Sequence, residues 1–348
     1  MLLEGLHLPL TTPFYPDGRL YVRKLEHNVD RYSKTPIAGL VVLSEAGEPS
    51  LLSEEETREV LRTAIHVSSE SKVILAGVSR DSVKRTLDLA EVAAGLGYDA
   101  VLVKQPLVLP AERAREILAY FKTVADRAPI PVVLYSTKRA PVSVEAVAEL
   151  AGHPQVLGLV DEVASCGRIE AIRAATVQVK REVTVTHLFA AVTGRMNAPK
   201  EATGGATFVM AESLTEGGAA VAVAPPKPAI KTRVKTVGFQ HLTASTGRML
   251  EGLKSGSVGV MPTLAAAAPQ ACYEVLAAWK DGDLALAEAK ERRLAEAIAQ
   301  IEEQLGVPGI RYAADLNGYF GGMPKLPLLP LTGTERQVVE MAMRAMRS

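Results

Sequence analysis

Cysteine is scarce in this chain. The two thiols, Cys166 and Cys272, have neither the CxxC spacing of a metal site nor the density of a disulfide framework. Each reads as a buried or helix-surface thiol, and a reducing cytoplasm is the expected compartment. Net charge is also absent: Lys+Arg and Asp+Glu stand at 39 each, leaving no global field to draw nucleic acid or an anionic membrane. No run of about 18 uninterrupted apolar residues is present to span a bilayer. The acid Glu4 sits where a signal peptide would carry its basic region. The expectation is a chain with no nucleic-acid partner, no membrane span and no export.

What is present is apolar material in a regular order. Hydrophobic residues make up 48% of the 348 positions and charged residues 22%, enough for a sizeable core. Short apolar runs alternate with longer amphipathic segments, the pattern of repeated βα units around a parallel sheet. Strands are predicted at Leu6–Thr12, Ala38–Leu43, Val73–Ala76, Ala100–Lys104, Val132–Tyr135 and Val156–Val160. Helices between them include one opened by Ser53, whose hydroxyl can cap the first turn while Glu54, Glu55 and Glu56 complement the helix dipole.

The rhythm breaks between about Thr176 and Thr236, where Gly and Pro punctuate short runs. Phe208–Met210, Ala219–Ala224 and Ile230–Val237 read there as strands of an antiparallel insertion. Two similar segments flank it, Thr186-His187-Leu188-Phe189 through Gly194-Arg195-Met196 and Gln240-His241-Leu242-Thr243 through Gly247-Arg248-Met249. The second is the better seventh barrel strand, because it runs directly into the final strand at Val258-Gly259-Val260-Met261. Helices at Ala271–Lys280, Leu284–Leu305 and Glu335–Met346 follow. The predicted class is therefore α/β: a (β/α)8 TIM barrel over residues 1–262, with a β-rich insertion at about 197–236 between the sixth and seventh βα units. A helical extension over 263–348 completes it.

Several stretches carry a family likeness. They are Pro9-Leu10-Thr11-Thr12-Pro13-Phe14, Gly47-Glu48 with Leu52-Ser53-Glu54-Glu55-Glu56, Asp99-Ala100-Val101-Leu102 with Pro106, and Tyr135. Later come Gly256-Ser257-Val258-Gly259-Val260-Met261 and Gly321-Gly322-Met323-Pro324. In order and spacing they resemble the dihydrodipicolinate synthase and N-acetylneuraminate lyase family. That resemblance implies class I aldolase chemistry, in which a lysine amine at the end of the sixth strand condenses with a 2-oxo acid. It also implies a homo-oligomer, dimer or tetramer, and no cofactor.

Three features depart from the pattern. Gly158-Leu159-Val160-Asp161 puts Val160 where the family places its lysine, and valine cannot form an imine. The loop that would bind the substrate carboxylate reads Ser44-Glu45-Ala46-Gly47-Glu48, with a glutamate that would repel an anion. The tyrosine pair expected after Pro106 reads Leu107-Val108. The usual Schiff-base mechanism is therefore not expected.

Tyr135 is the surviving acid/base candidate and Glu45 a new one, with Ser44, Ala46, Arg139, Val160 and His241 as candidate substrate-binding positions. Two other lysines could supply an amine. Lys200 lies in the insertion, and Lys104 is paired by strand alternation with Pro106 and expected to turn away from the barrel interior. Glu45, Asp161 and Glu162 read more readily as solvated carboxylates than as ligands, so no metal is expected. The leading reading is a lyase acting on a small oxo-acid-like or polar substrate without an imine at position 160. A catalytically silent paralogue with a ligand-binding or assembly role competes with it, and a metal-dependent lyase is a third.

Overall fold

The computed structural model describes residues 1–197 and 230–347. Eight parallel strands close a barrel: β1 (Gly5–Pro9), β2 (Gly39–Val42), β3 (Val73–Gly77), β4 (Ala100–Lys104), β5 (Val132–Ser136), β6 (Val156–Asp161), β9 (Gln240–Thr243) and β10 (Gly259–Val260). Two further strands, β7 (Arg181–Thr186) and β8 (Thr232–Val237), form a separate antiparallel pair between the sixth and seventh barrel strands. The seventh strand is thus the second of the two similar segments, as the sequence suggested. The insertion's paired strands begin upstream of position 197, at Arg181. The runs Phe208–Met210 and Ala219–Ala224, and Lys200, lie outside the described residues.

Helices α1 (Val22–Ser33), α2 (Glu54–Val67), α3 (Val83–Leu96), α4 (Ala114–Arg127), α5 (Val144–Ala151), α6 (Cys166–Ala175) and α8 (Met249–Ser255) ring the barrel, while the short α7 (Gly194–Asn197) follows β7. Ser53 opens α2 with a reciprocal cap: its hydroxyl accepts from Glu56 N at 3.1 Å, and Glu56 accepts from Ser53 N at 2.9 Å. The C-terminal extension comprises α9 (Pro269–Lys280), α10 (Leu284–Ala297), a π-helical stretch Ile298–Leu305, α11 (Gly306–Leu316) and α12 (Gly333–Arg347). Among the described residues no helix is long and apolar enough to cross a membrane.

Two buried layers follow from strand alternation. Val41, Leu75, Ala100, Leu102, Val133, Tyr135, Val160, Leu242 and Met261 fill the barrel interior, and the other strand faces pack with the helices. Gly158 is where β6 meets β9 closely: a Cβ there would lie 2.1 Å from the Gln240 carbonyl oxygen. Gly158→Ala is therefore expected to overpack the sheet by about 1–3 kcal/mol, seen as a lower denaturant midpoint. An unchanged midpoint would mean that β6 and β9 can separate.

Candidate active site

The C-terminal ends of the strands form the mouth of the barrel, where a (β/α)8 fold assembles its reactive groups. Register places Lys104 beside Tyr135, Tyr135 beside Val160 and Val160 beside Leu242, so these four occupy one level. Ala100 and Leu102 of β4 point into the interior, and by alternation Lys104 does too. This corrects the outward orientation expected from the sequence. Both faces of β4 are apolar and buried over Ala100–Val103, so the pattern carried no sign of which face was which.

Lys104 Nζ donates to Glu45 Oε1. Glu45 opens a 3₁₀ turn, Glu45–Gly47, that follows β2, and this turn carries its carboxylate over the mouth. The Lys104 side chain is 14% exposed and that of Glu45 41%, an ion pair at the rim of a cavity. Burial, then the charges of Glu162 and Glu45, push the Tyr135 phenol well above its ordinary range. Its hydroxyl donates to Glu162 Oε1, while Glu162 Oε2 accepts from Lys138 N at 2.9 Å. Burial also raises the Glu162 carboxyl above the usual carboxylate range, against the lowering effect of these two donors.

Two cavities share the Glu45–Tyr135 wall. The larger, about 320 Å³, is lined by Lys104, Gln105, Ser79, Arg80, Arg85 and Glu54 among others. Arg80 and Arg85 are both held by Glu54. The smaller, about 170 Å³, lies against Ser44, Ala46, Lys138, Glu162, Ser245 and Glu302. The Ser44 hydroxyl is buried there without a hydrogen-bond partner, which leaves a donor free for a substrate oxygen. Glu302 comes from the π-helical stretch of the extension; burial raises its carboxyl, and Thr246 Oγ1 donates to it.

The sequence-derived positions are only partly brought together. Tyr135, Glu45, Ser44 and Ala46 converge on the mouth. Val160, on the same level as Tyr135, is fully buried and lines neither cavity. Arg139 is exposed, and its neighbour Lys138 faces the smaller cavity instead.

His241 does not reach the mouth either. Leu242 takes the inward face of β9, so His241 points outward, with Nδ1 2.8 Å from Ser257 Oγ and Nε2 3.3 Å from Asp161 Oδ2. Asp161 is fully buried and receives Arg168 Nε at 2.7 Å. Burial would raise this carboxyl, but His241 and Arg168 together hold it below its ordinary range. The three acids of the proposed cluster therefore diverge: Glu45 to Lys104, Asp161 to Arg168 and His241, Glu162 to Tyr135. Neither solvated carboxylates nor a shared ligand set describes them. Of the pair Lys138 and Arg139 after Tyr135, either of which could bind an anion by sequence, it is Lys138 that faces the site; Lys104 joins it by its corrected orientation, and Glu302 carries no local sequence signal.

A sequence model of the dihydrodipicolinate synthetase family matches residues 2–185 and 230–346, leaving out the segment between. A 4-hydroxy-tetrahydrodipicolinate synthase of Acidiphilium cryptum is 26% identical over 346 residues, covering 98% of both chains. One from Methanothrix thermoacetophila is 26% identical over 333 residues, 95% of this chain and 92% of the relative. Among solved structures, dihydrodipicolinate synthase DapA-2 of Bacillus anthracis superposes with a TM-score of 0.77 at 19% identity, covering 99% and 98% of the two chains. YagE of E. coli, a prophage protein of the same family solved with pyruvate, gives 0.77 at 21% identity, covering 100% and 99%. The chain belongs to the dihydrodipicolinate synthetase family.

Proposed function

We propose that this protein is a lyase that makes or breaks a bond next to the carbonyl of a small 2-oxo acid at the barrel mouth, with Tyr135 and Glu162 moving the proton. The observation that carries this reading is the part-buried Tyr135–Glu162 hydrogen bond, with Tyr135 lining both cavities and Glu162 the smaller one. Burial keeps the phenol protonated and raises the carboxyl, so the pair offers a donor beside an acceptor tuned toward neutral pH. Glu45 lines both cavities with Tyr135, and the unpartnered Ser44 hydroxyl can hold a substrate oxygen. The pyruvate bound in YagE and the synthase activity named for the curated relatives support a small 2-oxo acid as substrate. Val160 takes no covalent part.

Loss of the pyruvate methyl proton signal in heavy water tests the reading without a second substrate. Exchange faster than in buffer alone is expected. Its absence would favour the catalytically silent reading. Glu162 must be deprotonated to accept a proton, so the exchange rate should fall on acidification. Because its carboxyl is raised, the midpoint should lie above the ordinary value of 4.5. A profile taken across roughly pH 4–8 that shows no such limb, or an unaltered limb in Glu162→Gln, would remove Glu162 from the chemistry.

A further inference from the structure

Resting on the lyase reading above, we infer that Lys104, at the end of β4, is the amine that forms a covalent imine with the carbonyl substrate. Four observations on this chain converge on it. Its side chain points into the mouth, at the same level as Tyr135 and Val160. It lines the larger cavity, whose volume of about 320 Å³ suits a small ligand. It is largely withdrawn from solvent, at 14% exposure. Its ammonium is already paired with a carboxylate, Glu45, that can take a proton from it. Lys104 and position 160 are two strand spacings apart, roughly 10 Å across the mouth, so a flexible four-carbon stem on β4 delivers its amine into the mouth that the β6 end also faces.

The step balances without any further reagent. Glu45 accepts a proton from the Lys104 ammonium, and the free amine adds to the substrate carbonyl carbon. The new C–N bond forms as the C=O π pair moves to oxygen, and a proton passes from the now cationic nitrogen to that oxygen to give a neutral carbinolamine. Glu45 returns its proton to the departing hydroxyl, water leaves, and the nitrogen lone pair closes the C=N bond. The net change is one ammonium and one carbonyl converted to one iminium and one water. The cation so formed withdraws electrons from the neighbouring carbon, whose proton Glu162 is placed to receive through Tyr135.

The test is borohydride trapping of the full-length protein with pyruvate, followed by peptide mapping, run beside the exchange assay. The expected result is one reduced pyruvate on Lys104. Lys104→Arg, which keeps a cation for Glu45 but no primary amine, should lose the adduct entirely. Glu45→Gln should slow trapping by about 100-fold; an unchanged trapping rate would overturn the part given to Glu45. Exchange without an adduct, or an adduct mapped to Lys138 or Lys200 instead, would overturn the inference and leave the lyase reading standing. An adduct on Lys104 without exchange would keep the amine and sink the proton-transfer reading. If Lys104→Arg does not fold, the mapped position in the parent protein decides alone.

Discussion

Tyr135→Phe should lower the rate of pyruvate proton exchange by about 10²–10⁴-fold, the usual range for losing a positioned proton-transfer group, while circular dichroism and gel filtration stay those of the parent. The ring packs in the interior layer with Leu102, Val133 and Val160, and phenylalanine preserves that packing. What it removes is the hydroxyl that donates to Glu162. Burial and the nearby carboxylates hold this phenol protonated far above neutral pH, so it acts as a donor and relay rather than as a phenolate base. Glu162→Gln should produce a loss of similar size, and the double variant should be little worse than either alone, because the two residues act as one unit. Additive losses would show two separate roles. An undiminished rate in Tyr135→Phe would reduce the residue to packing.

The barrel was legible in the sequence because a parallel sheet under helices needs two alternating periods, and the first six units show both. The seventh strand could be chosen correctly because Met249 leads through a single short helix to Gly259, which leaves no room for another element. Direction within a strand was less legible. In β4 the residues Ala100, Val101, Leu102 and Val103 are all buried, and nothing in such a run says which face meets the interior. The side that Lys104 takes is therefore not legible in the sequence.

In β6 the register shifts between its first and second pairings with β5, from Val132 beside Val156 to Val133 beside Gly158. Simple alternation cannot anticipate such a shift. The strand β7, Arg181–Thr186, was hidden by its charged, half-exposed residues. Helix α11 was hidden by Gly306, Pro308 and Gly309, which read as breakers although Pro308 lies in the first turn, where its missing N–H costs little. Glu302 enters the site only through the tertiary fold.

The same long-range dependence makes Arg311→Met the substitution with the largest expected effect on stability. Arg311 is almost completely buried. Its guanidinium donates to Gly321 O at 2.6 Å and Thr12 O at 2.7 Å, and pairs with the buried carboxylate of Glu48. One side chain thus ties the segment after β1, the turn after β2 and the chain leaving α11 to one another. Methionine can fill much of the volume, but it leaves Glu48 charged and unpaired in a buried place, which costs about 3–5 kcal/mol.

Burial already raises the Glu48 carboxyl, against the opposing pull of Arg311, and without the arginine it should rise further. A carboxyl whose folded pKa lies above its unfolded value lowers stability at high pH, and that penalty fades as pH falls through the folded value. The gap between Arg311→Met and the parent should accordingly narrow on mild acidification. Adding Glu48→Gln to Arg311→Met should recover part of the loss at neutral pH but not all of it, since the Gly321 and Thr12 carbonyls still lack their donor. Urea midpoints at two pH values measure both effects. A pH-independent gap would mean that the lost backbone contacts, rather than the stranded charge, dominate the cost.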